Sequence, residues 1–586
     1  MKYREMTKLA EEVDWSGVVF FAQLLDEMLF DFTLDTYKPS ALSPALLCSE
    51  ALSTLEQIEE GHVERRRLEP ILAELKNVIS GDEACQALLE FSPTYYLQFS
   101  ETESIESAKV RLSILANRLK APVYLREVEE RLAEVLTSGR EKKRIRALGR
   151  AWVSALICSG MHRSYIEEHA HNFFFSPDKK ILSFEDLKGF FSVSKAKPVS
   201  YEAIFFVSKI FEHVSGPCAS FNCRLSSEYP RDDGSRPETW GADPNWKHLV
   251  VKGIEALDPY SAREVAEQRL GLISDLFVLY HHKERLSWKK SVLVARVDNG
   301  DSRCISPPNS ALEKIADNFP SRAAERLGDL LNRIEFRDHK ASSKFTSIVQ
   351  LHGAAADVES PRTQLVNIWT ALEVTIPPGK ASKLQAVTDT LMPYLLCGYV
   401  DSLFYDLAGD IWRWRKRAAK AVKLAALPPG MKLHHKVALI LLSDAYSEAR
   451  DKLFEISEGY PLLRFRMFSM QERFGSRTKI RSSLARHKER LVWQIARIYR
   501  ARNMIVHSGN CPSIIDVLAE NAHSYLDTFI GKVLSLAMDD GRVRSVDEAS
   551  MLMMERFSQW WKYLEVDEPL SVENVAYVLS AERQVQ

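Results

Sequence analysis

Long apolar runs are the first thing this chain lacks. No uninterrupted stretch is long enough to span a bilayer, and the N-terminal MKYREMTKLAEEVDWSG has no apolar core of the kind a signal peptide needs. A cytoplasmic, membrane-free protein is the expectation. Cysteine is also sparse, with eight residues in 586 scattered mostly among apolar neighbours, as Cys158 in ALIC and Cys397 in YLLC. Such placement suits reduced, buried thiols and argues against a disulfide framework. Cys218 and Cys223 have zinc-like spacing, but no second pair lies nearby and His213 is the sole obvious further ligand. No metal or cofactor is therefore expected. His169-Ala170-His171, His281-His282 and His434-His435 lack the spacing and carboxylates of metal sites and are expected at the surface or at caps. Excess charge is missing too. The 78 basic and 79 acidic residues nearly cancel, so any nucleic-acid-binding surface must be local. Internal repeats and low-complexity tracts are absent.

What remains has the composition of an ordinary globular protein, too long for one hydrophobic core. Residues 1–180 read as successive helices, with Leu125, Val128, Leu132 and Val135 at helical spacing and Pro39, Pro44, Pro93 and Pro122 between segments. From 185 to 305 the texture changes. YEAIFFVSKIF, HLVVKGIEAL and KKSVLVARV are short runs rich in β-branched and aromatic residues, which predict strands. Ser261 with Glu264 three residues on predicts a capped helix running to about Leu279. The intervening polar segment from Ser215 to Asn245 predicts a loop that is mobile or touches a ligand. From 310 onward the chain is helical again, with elements expected over 312–337, 342–356, 361–376, 384–424, 432–457, 461–474, 479–508 and 513–537, then a Met- and Trp-rich final helix. The expected architecture is mainly α and multidomain: a helical domain over 1–180, a small α/β domain over 185–305 and a helical bundle over 310–586.

The chemistry concentrates at the end of the 479–508 helix. At 100° per residue, Leu484, Leu491, Ile495, Ile498 and Ile505 fall on one stripe, and Arg502 lands within it. A guanidinium on an apolar seam is costly unless paired. Asn503 and His507 are four residues apart on a neighbouring face. Ser508-Gly509-Asn510 and Pro512 stop the helix, so His507 occupies its last turn, where the negative end of the helix dipole favours imidazolium. An arginine to hold a phosphate beside a histidine to move a proton suits acid–base chemistry on a phosphodiester. The loose pattern, Arg then His with four to six residues between, is weak: Arg163/His169, Arg333/His339 and Arg481/His487 also fit it, and for these solvated helix faces are expected. Only the 502–507 copy adds Asn after Arg, apolar filling and a small-residue stop. An arginine there could equally be a core ion-pair partner, and the histidine a cap.

The segment RARNMIVHSG resembles the R-N-x-x-x-H motif of HEPN domains, in particular the Apea-like subgroup of bacterial defence proteins. Residues 360–376, SPRTQLVNIWTALEVTI, resemble the early core helix of that subgroup, and IIDVLAENAHSYLDTFIGKVL matches its closing helix in pattern. The resemblance covers about 310–540. It implies a metal-independent endoribonuclease in which two HEPN domains pair across a composite site. Carried onto this sequence, Arg502 polarises the scissile phosphate, His507 shuttles the proton and Asn503 orients either. Attack by the ribose 2′-OH leaves a 2′,3′-cyclic phosphate and a 5′-OH. The same likeness implies an anti-phage effector set off by a phage-derived trigger. The N-terminal helical and α/β regions carry no catalytic motif and are expected to sense a phage component or restrain the nuclease; if they restrain it, deleting residues 1–300 raises toxicity.

Glu373 is the candidate partner for Arg502 or for His507, with a structural salt bridge to another helix as the alternative. An RNA track is expected from local basic excess. From Arg473 to Arg502 there are ten Lys/Arg and one acidic residue, so Arg497 and Arg500 are candidates. Upstream, Trp412-Arg413-Trp414-Arg415-Lys416-Arg417 interleaves aromatics with cations, which adds Arg413, Arg415 and Arg417. Two other functions remain open: a non-catalytic HEPN scaffold, and a regulator that binds a nucleotide in the basic cleft.

Overall fold

A computed structural model describes the chain apart from residues 1–3, 5, 11–13, 31–41, 62, 101, 232–234, 242, 308–311, 313–317, 378–381, 415–426, 513, 540–542 and 582–586. The protein is mainly α, with a small five-stranded antiparallel sheet and a two-residue parallel pairing of Lys8–Leu9 with Lys180–Ile181. Among the described residues no helix is long and apolar enough to cross a membrane.

The N-terminal helices, from Ser16–Leu29 to Asp186–Phe191, bury their apolar stripes in one cluster with the C-terminal helices. Phe20 on the first helix meets Phe465 edge-on at 5.1 Å. Arg466, from Pro461–Phe474, lies between Glu27 (3.2 Å) and Asp410 (2.9 Å) with all three side chains buried. Residues 1–180 and 310–586 therefore share a continuous core.

The sheet unit has its own core. Strands Val199–Ser208, Trp246–Ala256 and Val292–Arg296 form where the β-rich runs predict them. Two shorter strands, Cys223–Ser226 and Ser302–Ile305, complete an antiparallel sheet in the order 223–226, 246–256, 199–208, 292–296, 302–305. The helix Pro259–Val278 covers one face. On the other face lie Tyr229 and the buried Trp240, the latter stacked on Phe206 at 5.6 Å. Part of the loop expected to be mobile or ligand-facing is thus a hydrophobic cover for the sheet.

The cap of Pro259–Val278 also differs from expectation. Asp258, not Ser261, accepts from the backbone N–H groups of Tyr260 and Ser261, both at 2.9 Å. Asp-Pro wins because proline is pre-organised for the first helical position, where its missing N–H costs nothing. The second Asp258 oxygen accepts from the His162 N–H at 2.9 Å, which ties the sheet unit to the N-terminal helices.

In the C-terminal part, the expected 384–424 helix is two, Lys383–Leu396 and Tyr399–Trp414, parted at Gly398 with φ of 91°; residues 415–424 lie outside the described residues. The 432–457 helix likewise breaks into Leu433–Leu442 and Ser447–Ile456. Three helices carry the motif region: Pro361–Val374, Arg477–Ser508 and Ile515–Asp539, mutually packed.

Candidate active site

The motif helix Arg477–Ser508 starts at a Ser476 cap and ends at Gly509, left-handed with φ of 69°. Its stripe of Leu484, Leu491, Ile495 and Ile498 is buried, and Trp369 from Pro361–Val374 meets Tyr499 at 5.3 Å. Arg502 extends that stripe half-buried. Its Nη1 donates to Asn503 Oδ1 at 3.1 Å, and its Nε is buried without a hydrogen-bond partner among the described residues. Leaving such a donor unmade costs about 1–3 kcal/mol, and an acceptor arriving from outside would recover it. His507 is exposed in the last turn, as are Val506 and residues 508–510. Arg362, at the start of Pro361–Val374, donates to the Gly509 carbonyl, so a second guanidinium stands at the same helix end. Sequence reasoning missed Arg362, whose nearness depends on the packing of two helices far apart in the chain.

Glu373 is engaged elsewhere. It accepts from Trp369 Nε1 at 2.8 Å and pairs with Lys383 at 3.3 Å, the structural bridge that the sequence left as its alternative. Arg497 and Arg500 correct the expected RNA track. Arg497 is 3% exposed and pairs with Glu50 at 3.1 Å and with Glu74, while Arg500 also pairs with Glu50. Both acids come from N-terminal helices, Pro44–Glu59 and Glu69–Ser80, of which the second packs on the motif helix. Burial pushes the Glu50 carboxyl up, yet Arg500 and Arg497 outweigh it and the net shift is down. For Glu74 burial prevails over Arg497 and the shift is upward. Arg413 is exposed, 3.8 Å from Asp410; Arg415 and Arg417 lie outside the described residues.

Of the other Arg/His spacings, Arg333 and His339 are exposed as expected. His169 is not on a solvated face: it shares a hydrogen bond with the Phe190 carbonyl at 2.8 Å and stacks on that ring. Nor is His487, which stacks on Tyr399 at 3.8 Å; burial, then Arg490 and Arg473, push its pKa down to about 3. These imidazoles are built into the packing, whereas His507 is free to meet solvent.

Two groups could hold a metal, and the sequence reading found neither. His434 and His435 are buried, not at the surface, and converge on Asp401 at 3.3 and 3.0 Å. Burial pushes the Asp401 carboxyl up, but the two histidines outweigh it and hold it well below the ordinary range. His352, His523 and Asp527 form the second group. Cys218 and Cys223 are buried in the sheet core, where desolvation raises both thiols. A cavity of about 330 Å³ lies in the N-terminal helices, lined by Asp82, Tyr124 and Arg144 among others, away from the motif residues.

Next to the motif, Asp516 on the closing helix Ile515–Asp539 is held above the usual carboxylate range by burial and then by Glu264 of the sheet unit, against His162. His162 pairs with Glu264 at 3.2 Å. The charges of the sheet unit's Glu264 and of His162 are thus felt at Asp516, nine residues beyond His507 in the chain. Comparisons with protein-family models, curated proteins and solved structures return no match.

Proposed function

We propose that this chain is a HEPN-type, metal-independent endoribonuclease. The observation that carries the reading is the half-buried Arg502, with a Nε that lacks a partner, at the same helix end as the exposed His507. A phosphate oxygen supplies the acceptor that Arg502 Nε lacks, and the guanidinium fork suits phosphate geometry. Asn503, already bonded to Arg502, fixes the fork's direction. His507 takes the proton from the ribose 2′-OH as that oxygen attacks phosphorus, or returns one to the departing 5′-oxygen. The products are a 2′,3′-cyclic phosphate and a 5′-OH. RNA is required because the nucleophile belongs to the substrate.

One exposed histidine supplies one proton-transfer group, and the reaction uses a base and an acid. A second copy, docked on the exposed 506–510 end, would supply the other. Arg362 replaces Arg497 and Arg500 as the cation beside the substrate. The biological reading is an anti-phage effector answering a phage-derived trigger. The sheet unit and N-terminal helices would sense the trigger or restrain the motif.

The test compares wild type with His507→Ala in a bacterial host challenged with a phage panel, with RNA sequenced for new 5′-OH ends. Protection and new ends in wild type, both lost in the variant at equal expression, are expected. Protection that survives His507→Ala makes the motif structural and the domain a scaffold. Nucleotide-dependent thermal stabilisation without cleavage would instead favour the regulator.

A further inference from the structure

His352 lies on the helix His339–Ala356, and His523 and Asp527 lie one turn apart on the closing helix. Both helices pack against Pro361–Val374, so the three side chains bridge the pair that flanks the Trp369 helix. Three donor atoms meet there. His352 Nε2 is 2.9 Å from Asp527 Oδ1 and 3.1 Å from His523 Nε2, and His523 Nε2 is 3.6 Å from the same Oδ1.

Protons alone serve this triangle poorly. A proton on His352 Nε2 points to Asp527 or to His523, and cannot be well directed at both. A proton on each ring nitrogen sets two N–H dipoles head to head. Without any proton there, three lone pairs face one another. A cation near the centre satisfies all three at once. The point equidistant from the three atoms lies about 1.9 Å from each, and zinc bonds to His nitrogen and carboxylate oxygen run at roughly 2.0–2.2 Å. An ion at that distance stands slightly out of the ligand plane, as in a tetrahedron with one further position. His352 and Asp527 keep 30% and 21% exposure, so water can take that position. In the Asp401 group both imidazoles converge on one carboxylate oxygen, which His435 Nε2 already hydrogen-bonds at 3.0 Å.

We infer that His352, His523 and Asp527 form a binding site for one zinc-class divalent cation, which clamps the His339–Ala356 helix to the closing helix. The ion is structural and stands apart from the proposed chemistry at Arg502 and His507. The sequence carries a faint signal for it, a His and an Asp four apart on one helix; the third ligand is 171 residues away.

The test uses the full-length protein without a histidine tag, freed of metal and titrated with Zn²⁺ or Co²⁺. Expected are one equivalent bound at this site, intense visible cobalt bands of tetrahedral coordination, and a zinc-dependent rise in Tm of several degrees. His523→Gln and Asp527→Asn should lose that equivalent, the bands and the shift; His435→Gln should keep them. Should His523→Gln fail to fold, the partly exposed His352→Gln decides, with its fold checked by circular dichroism. Wild type that binds no stoichiometric Zn²⁺ overturns the inference, as does binding that His435→Gln removes and the His352, His523 and Asp527 variants retain.

Discussion

Arg497 and Arg502 stand on the same helix and differ in what faces them. Arg497 is enclosed by Glu50 and Glu74, so its removal leaves two acids in a low-dielectric interior. Arg497→Ala should cost about 3–5 kcal/mol, read by denaturant unfolding, with any loss of activity following the loss of fold. Arg502 has no carboxylate partner among the described residues. Arg502→Ala should change Tm by only a few degrees yet reduce RNA cleavage by about 100-fold or more, the scale of losing a transition-state donor. Arg502→Lys should rescue little, because an ammonium cannot form the bidentate fork. Folding and cleavage rates measured on the same preparations separate the two arginines. The basic run near the motif was legible in the sequence, but its destination was not. Charge counting treats every cation as solvated, and here N-terminal carboxylates pack onto part of the run.

At the scale of elements, local chemistry set most helices and strands. Proline at the first position starts Pro44–Glu59, Pro361–Val374 and Pro461–Phe474, and glycine ends the motif helix. Gly398 separates two helices that periodicity runs together, since apolar residues continue across it, and the extended Cys397 with the positive φ of Gly398 turns the chain. Asp258 is the junction with most at stake, fully buried and accepting from three backbone N–H groups. Asp258→Ala removes a cap and strands buried donors, and should cost about 2–4 kcal/mol. It should also loosen the sheet unit from the N-terminal helices, which hydrogen exchange at His162 and Tyr260 would report.

Over the whole molecule, the shared core makes the N-terminal helices part of the C-terminal fold. Residues 310–586 expressed alone should lack cooperative unfolding by circular dichroism, because the faces carrying Arg466, Phe465 and Arg497 would be left open. Raised toxicity on deleting 1–300 is therefore no clean test of restraint. The buried Glu27–Arg466–Asp410 group adds a pH signature. Burial raises the Asp410 carboxyl to about 6, against the pull of Arg466. An unfolded aspartate titrates near roughly 3.9, so the folded chain binds the extra proton between these values. The resulting stability is fully present below the lower value and fades as pH rises through about 6. Relative to Asp410→Asn, wild type should gain about 1–2 kcal/mol between pH 7 and pH 5, measured by urea unfolding at both.

The sequence by itself determined the mainly helical class, the β-rich middle, the motif helix with its stop, and the placing of Arg502 at an apolar seam. Those follow from near-neighbour periodicity and capping, which operate within a few residues. Tertiary structure alone decided that Glu373 pairs with Lys383, that Arg497 and Arg500 are consumed by Glu50 and Glu74, and that Arg362 joins the motif. It also brought His352 to His523 and Asp527. Each of these pairings joins residues on different helices or across a break between them, and no local rule specifies which buried charge will find which partner once the helices pack.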